Sequence, residues 1–253
     1  TGKVIVTTTK EAKGTYTIYV HEINDASIQA KASLTIKPLV ASDSAGNNYF
    51  DIESAIEDAP DGSTVTVVAV EKRLSVPSNV YVKAKDKGIT LDLNGHSLDG
   101  YSINVGGYQN PGKLTVIDSS GGSGAVGLAV RDGGEMVFAP ENVNTTLLQL
   151  EVYGGKIELR GGNILAGKWT FGSSTTLKLS DLLPSAGGYA YRYYRGGNAY
   201  GDWVELAKAQ SNAASTQFAL AVMKCEHTDI DTDNNCCLYC GQAMAARNGI
   251  SYY

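Results

Sequence analysis

Short runs of alternating apolar and polar residues, separated by glycine, asparagine or aspartate, recur along most of this chain. Examples are STVTVVAV (63–70), GITLDLNGHSLDG (88–100) and GKLTVIDSSG (112–121). Glycine is abundant, with 29 residues among 253. Alternation with a period of two and frequent turn residues are typical of β-strands, whereas helical periodicity is almost absent. The sequence therefore predicts an all-β chain.

The one clear helical pattern precedes these runs. We predict a helix over residues 50–58, with an apolar stripe formed by Phe50, Ile52, Ala55, Ile56 and Ala59. A single helix there suits a cap over the open sheet edges at the N-terminal end of a coil. A flat sandwich explains the alternation equally well but not the helix.

The preferred fold is a single-stranded, right-handed parallel β-helix of roughly five turns. Each short strand would pair with its equivalent one turn later, and Asn94 and Asn163 would bond at the bends. The side chains expected to point inward are Val65, Val67, Ile89, Leu91, Leu93, Leu114, Val116, Leu148, Leu150, Ile157 and Leu159.

The rest of the chain divides around this coil. Residues 1–39 contain three alternating runs and are interpreted as part of an immunoglobulin-like sandwich, or equally as strands that dock on the coil. The coil with its helix covers 40–180, and an aromatic hairpin and linker, 181–224, closes it. A cysteine-rich segment covers 225–241. Residues 242–253 resemble the start of a following module, because MAARNGISYY echoes VASDSAGNNYF.

Aromatic residues mark the closing hairpin. Tyr189, Tyr191 and Tyr193 share one face of a strand, and Trp203 follows after the turn. These four residues either bury themselves in capping the coil or stack on sugar rings as a ligand-binding surface.

All four cysteines lie between residues 225 and 240. The spacing Cys225-x-His227 followed by Cys237-x-x-Cys240-Gly provides the four N and S ligands of a tetrahedral structural zinc site, although Cys236 is able to replace Cys237. Two disulfides are the alternative. Because EHTDIDTDNN contains one isoleucine, the segment has almost no core of its own and needs such a staple to fold. We expect metal removal to melt this segment and to leave the coil intact.

Charge and hydropathy exclude two classes of partner. The formal net charge is −5, and Lys and Arg form no basic stripe, which argues against nucleic acid. No apolar run is long enough to cross a bilayer.

The segments YFDIESAIEDAPDGSTVTVVAV (49–70), GITLDLNGHSLDG and KLTVIDSSGGSG (113–124) carry a family resemblance. They resemble the pectin-lyase-like parallel β-helix modules of large, adhesin-like bacterial cell-surface proteins, in which a C-x-H…C-x-x-C-G tail often follows the coil. The resemblance implies a secreted, cell-surface protein that faces polysaccharide or host glycans. It also implies a monomeric unit of a longer modular chain.

Catalytic candidates are few. Asp92 and Asp118 are expected on neighbouring turns with His96 close by, and Asp92 is expected to face outward because it lies between Leu91 and Leu93. Paired carboxylates of this kind serve polysaccharide lyases and glycoside hydrolases, but they equally form the solvated face of a coil. We therefore expect a non-enzymatic adhesin, glycan-binding or spacer module, with a carbohydrate-active enzyme or its inactive relative as the alternative.

Overall fold

A computed structural model describes residues 14–21, 27, 29–70, 78–107, 111–172, 177–185, 187–196, 199–211 and 218–244. Near the N-terminus, β1 (Gly14–His21) and β2 (Gln29–Ile36) form an antiparallel pair. The first predicted run, 3–9, lies outside the described residues, so the immunoglobulin-like assignment stays a prediction.

A short antiparallel unit and a helix begin the main body. Strands β3 (Ala41–Asp43) and β4 (Asn48–Tyr49) precede helix α1 (Ile52–Asp58). The Asp51 side chain caps the helix, since it accepts a hydrogen bond of 2.7 Å from the Ser54 N–H. The predicted stripe is buried except for Phe50, which lies before the helix and is 49% exposed. The prediction of a helix beginning at residue 50 was therefore wrong by two residues.

Ten short strands then form the coil. In chain order they are β5 (Thr64–Val67), β6 (Ser78–Val82), β7 (Ile89–Asp92), β8 (Ser97–Val105), β9 (Lys113–Ile117), β10 (Ala125–Val130), β11 (Glu135–Phe138), β12 (Thr146–Val152), β13 (Lys156–Leu159) and β14 (Asn163–Ile164). The odd-numbered strands pair in parallel in one sheet, and the even-numbered strands pair in parallel in another. The chain makes about four turns, so the predicted number of roughly five was one too many. The predicted all-β, parallel β-solenoid fold is confirmed.

Equivalent positions on successive turns stack in one hydrophobic core. Val65, Leu91, Val116, Phe138 and Leu159 pair in register through the odd-numbered sheet, and each is fully buried. Burying a side chain of this size stabilises the fold by about 1.5–3 kcal/mol. Helix α1 packs beside β6, β3 and β4, and its buried residues Ile52, Ala55 and Ile56 join this core.

The inward assignments hold with one exception. Nine of the eleven predicted residues are buried, and Ile157 is half-buried against the core. The predicted inward orientation of Leu148 is wrong. Leu147 occupies the core instead, and Leu148 is only half-buried. The pairing of β12 with β10 shifts at this point: Val126 faces Leu147, whereas Gly127 faces Gln149. Leu148 is thus the extra residue of a β-bulge, and it reverses the alternation.

Asparagine side chains tie adjacent turns together at the bends. The Asn94 amide donates to the Val67 carbonyl at 3.0 Å, and the Asn163 amide donates to the Val143 carbonyl at 3.3 Å. Asn94 has φ of 46°, a left-handed conformation that asparagine tolerates better than most residues.

Antiparallel strands close the C-terminal end. After β15 (Trp169–Phe171) and a 3-10 helix at Leu179–Leu182 come β16 (Tyr189–Gly196), β17 (Ala199–Trp203), helix α2 (Leu206–Ser211), β18 (Leu220–Lys224), β19 (Ile230–Asp231) and β20 (Cys236–Cys237). Strand β18 lies between β14 and β16 and pairs antiparallel with both. The even-numbered sheet of the coil therefore continues into the hairpin.

Candidate metal centre

The first predicted ligand lies at the end of the extended sheet. Cys225 directly follows β18, its N–H donates to the Gly188 carbonyl at 2.8 Å, and its side chain is buried. Burial raises the pKa of the Cys225 thiol to about 12. A metal ion bound there would have to supply the charge that favours the thiolate.

A tight turn presents the second pair of ligands. Cys237 lies in β20, which pairs antiparallel with β19. Burial alone would raise the pKa of Cys237, but hydrogen bonds from the Cys240 N–H, the His227 side chain and the Tyr239 N–H lower it to about 7. Gly241 closes the turn, with its N–H 2.9 Å from the Cys237 carbonyl. The turn therefore favours the thiolate form that binds metal.

Glycine is favoured at position 241 for two reasons. Its φ is 70°, in the left-handed region, and an added Cβ would lie 2.8 Å from the Leu206 side chain. A larger residue would strain the backbone of the turn and displace the end of the Leu206 side chain.

The four predicted ligands converge. The Cys225 and Cys237 sulfurs are 3.4 Å apart, the Cys240 sulfur lies 3.5 Å from His227 Nδ1, and all four ligand atoms lie within 4.8 Å of one another. Tetrahedral Zn²⁺ would place such atoms roughly 3.5–3.8 Å apart, given Zn–S and Zn–N distances of about 2.3 and 2.0 Å. The group can hold a metal ion.

Cys236 is not part of this group. Consecutive side chains in a strand point to opposite faces, so Cys237 is buried at 1% exposure while Cys236 points away and is half-buried. All four cysteines are free thiols, and the 3.4 Å between the sulfurs of Cys225 and Cys237 exceeds the length of about 2.05 Å of a disulfide bond. The geometry is that of ligation by Cys237.

The segment shares a small core with the end of the coil. Ala190, Cys225 and Cys237 are buried together, and the Trp203 ring stacks on Tyr239 with centroids 5.9 Å apart. The Leu206 N–H also donates to the Leu238 carbonyl at 2.9 Å. The metal group is therefore built on the closing hairpin.

The packing also bears on the four aromatic residues of the closing hairpin, which were expected either to cap the coil or to stack on sugar rings. Tyr191 is 1% exposed and donates its hydroxyl to the Leu179 carbonyl at 2.9 Å, so it is not available to stack on a sugar. Tyr189 and Tyr193 are half-buried against the coil core. Trp203 packs on the cysteine-rich segment, residues 225–241, which we call the metal segment. Trp203 and the three tyrosines therefore pack against different parts of the structure.

Asp92 does not face solvent, contrary to expectation. It is 6% exposed, because Ser119, in the segment that follows β9, lies against it. One carboxylate oxygen accepts from the N–H groups of Asn94 and Ser119 at 2.9 and 3.0 Å, and the other accepts from the Ser119 hydroxyl at 2.5 Å.

Asp118 lies on the neighbouring turn, as predicted, and is completely buried. It accepts hydrogen bonds from the N–H groups of Gly95 and Gly124 and from the hydroxyls of Ser120 and Thr145, at 2.7–2.9 Å. Burial alone would raise the pKa of Asp118, but these four bonds outweigh it and lower the pKa. The carboxylate holds three segments of the coil together.

His96 lies in the turn between β7 and β8. It is half-buried, and its N–H donates to the Leu93 carbonyl at 2.8 Å. The structure shows no hydrogen bond between the His96 ring and either carboxylate among the residues it describes. The three weak catalytic candidates are neighbours, but their observed bonds are those of a turn.

The residues that attach the metal segment were not predicted. Gly188, Leu206 and the partners of β18 are distant from the cysteines in sequence, and no local pattern identifies them.

Within the described part of the chain, no helix is long and apolar enough to span a membrane. A scan against models of known protein families finds no match, and searches of curated proteins and of solved structures find none either.

Proposed function

We propose that this chain is a non-enzymatic extracellular surface module, in which a pectin-lyase-like β-solenoid acts as a rigid spacer within a larger protein. The observation that carries the proposal is the bonding of Asp118, the most buried of the catalytic candidates. This carboxylate accepts four hydrogen bonds from its own coil, so its oxygens are already used in holding the coil together. Its lowered pKa also makes it a poor proton donor or acceptor near neutral pH.

The proposal includes a structural zinc ion bound by Cys225, His227, Cys237 and Cys240. Three sulfurs and one imidazole nitrogen are a set that suits Zn²⁺, and four protein ligands leave no position for a reactive water. The ion would fix the metal segment against Trp203 and α2, and so lock the C-terminal end of the spacer.

Turnover of polysaccharides tests the absence of catalysis. The intact chain is incubated with a panel of neutral and acidic polysaccharides, and products are followed by absorbance of unsaturated sugars and by reducing ends. We expect no turnover above a heat-denatured control. Turnover that is lost in Asp92→Asn while the fold is retained would establish the enzyme alternative.

Elemental analysis tests the metal. Protein prepared without chelators should contain about one zinc per chain, and Cys237→Ser should lose it while Cys236→Ser keeps it. Metal-free protein whose thiols react with an alkylating reagent only after reduction would mean that the cysteines form disulfides instead.

A further inference from the structure

The odd-numbered sheet of the coil has an open edge at each of its two ends. Its strand order runs from β13, through β11, β9, β7, β5 and β3, to β4. Among the residues that the structure describes, no strand pairs with the outer side of β13 or of β4. The even-numbered sheet differs, because it continues past β14 into the closing hairpin. An open edge presents backbone groups that can pair with a strand of another chain.

The backbone of β13 is arranged to accept a further strand. The Lys156 N–H donates to the Gly134 carbonyl of the preceding turn at 2.8 Å, and β13 pairs in register with β11 from there on. Since the N–H groups of alternate residues point to opposite sides of a strand, those of Ile157 and Leu159 point away from β11. Within the described part of the chain, neither of these two groups has a backbone acceptor.

A cleft of about 370 Å³ lies at this edge. It is lined by residues of β11 and β13 and by the segment 177–185, with Val137, Leu177 and Leu183 among its apolar members. Val137 is on the outer face of the sheet, because its two neighbours in β11 point into the core. The volume is in the range of about 300–1,000 Å³ that is typical of ligand pockets, so the cleft can admit a large apolar side chain.

The opposite edge of the same sheet carries an exposed aromatic side chain. Phe50 directly follows β4 and is 49% exposed. Tyr49, in contrast, packs against the coil core and donates its hydroxyl to Asp43 at 2.7 Å. Because successive side chains point to opposite faces, Phe50 lies on the outer face of the sheet, as Val137 does.

The direction of β4 matches that of β13. Strand β4 is antiparallel to β3, and β3 is antiparallel to β5, which is parallel to the later strands of the sheet. Strand β4 therefore runs the same way as β13. In a second copy stacked coaxially beyond β13, β4 would extend the parallel ladder at the usual strand spacing of about 4.8 Å.

The charges of the two ends are complementary. Residues 38–70, around β4 and α1, contain six acidic residues and no basic one. Lys83 pairs with two of the six, Glu57 and Asp58, at 3.5 and 3.1 Å, which leaves an acidic excess. Residues 155–185, around β13 and the cleft, contain four basic residues and two acidic ones. The two ends therefore attract each other.

We infer that the chain associates head to tail with further copies of itself. Strand β4 of one copy pairs in parallel with β13 of the next, and Phe50 enters the cleft beside Val137. The contact joins two different surfaces, so each complex keeps one open edge of each kind and grows as a filament. The inference departs from the monomeric unit that the family resemblance implies. It does not depend on the metal, and its failure would leave the spacer proposal standing.

Sedimentation velocity of the intact chain over a range of concentrations tests this association. We expect the weight-average mass to rise with concentration and to pass that of a dimer. Phe50→Ala removes the side chain that enters the cleft, and Val137→Lys places a charge in it, so each should weaken association by at least about tenfold. Two control variants should associate as the wild type does: Tyr81→Ala, an exposed aromatic of the even-numbered sheet, and Thr90→Lys, on the outer face of β7.

A mixture of the two interface variants distinguishes a head-to-tail contact from a symmetric one. Phe50→Ala keeps an intact cleft and Val137→Lys keeps an intact Phe50, so the equimolar mixture should form a dimer of one chain of each variant that grows no further. Circular dichroism must show that each variant keeps the wild-type thermal transition. Lys156→Glu, at an exposed position of the cleft, replaces Val137→Lys if that variant unfolds.

Four outcomes would overturn the inference. They are a wild-type chain that stays monomeric at its highest soluble concentration, association that stops at a dimer, control variants that weaken association as much as the interface variants do, and a mixture that stays monomeric. Growth of the wild type beyond a dimer, together with a mixture that forms only a dimer, would establish the head-to-tail contact.

Discussion

Asp118→Asn should destabilise the coil without altering any chemistry. The wild-type carboxylate accepts from two N–H groups and two hydroxyls, whereas an amide retains one acceptor oxygen and directs an NH₂ group at the remaining donors. The two hydroxyls can turn to other partners, but the N–H groups of Gly95 and Gly124 cannot. An unsatisfied buried donor costs about 1–3 kcal/mol, so losing one acceptor oxygen should lower the free energy of unfolding by about 1–3 kcal/mol at pH 7.

The stability difference between wild type and Asp118→Asn should depend on pH. The pKa of Asp118 is lowered in the folded state, below the value of about 3.9 for an unfolded aspartate. Its charge therefore contributes stability that is fully present above about pH 4 and is lost as the pH falls through the lower folded-state pKa. The difference between wild type and Asp118→Asn should be constant from neutral pH to about pH 5 and should shrink below pH 4.

Urea unfolding followed by far-UV circular dichroism measures both effects, with zinc present throughout. Asp99→Asn is the matched control, because Asp99 is an exposed carboxylate on the preceding turn of the coil. We expect it to change the free energy of unfolding by less than about 0.5 kcal/mol. Equal stability of Asp118→Asn and Asp99→Asn would refute the structural role of Asp118, as would a difference from wild type that grows toward acid pH.

Two further predictions concern the metal segment and the bulge. Chelation of the metal should change the near-UV signal of Trp203 and leave the far-UV signal of the coil in place, and Cys237→Ser should reproduce this change whereas Cys236→Ser should not. In the coil, Leu147→Ala should lower the free energy of unfolding by about 2–5 kcal/mol, as for a buried leucine, whereas Leu148→Ala should lower it by less than about 1 kcal/mol. Equal losses would place both leucines in the core and remove the bulge.

The coil was predictable because its signal is local. Each strand shows its own alternation, and the stacking of Leu91 on Val116 follows once successive turns are paired. The alternation fails where a neighbouring turn intervenes. Nothing around Leu148 in the sequence indicates an extra residue, and Asp92 is buried because Ser119, from the next turn, lies against it.

The metal group was predictable for a different reason. Four ligands must reach one point, so the spacing indicated Cys225, His227 and Cys240 together with a third cysteine, and left Cys236 and Cys237 as alternatives for it. The surface on which the group is built depends on the insertion of β18 between β14 and β16, a segment expected to be hairpin and linker. Such pairing between distant strands leaves no local pattern.

The position of Cys225 at the end of β18 has a mechanical consequence. Tension applied to the chain beyond Gly241 would reach Cys240 and Cys237 first. With a metal bound, the load would pass through the ion to Cys225 and then along β18, which is held on both sides by β14 and β16. Residues 228–234, the loop between His227 and the residues that bond to the chain beyond Gly241, would carry little of it. Loss of the ion would release these residues as slack, so a bound metal would limit how far the C-terminal end of the coil stretches before its strands begin to separate.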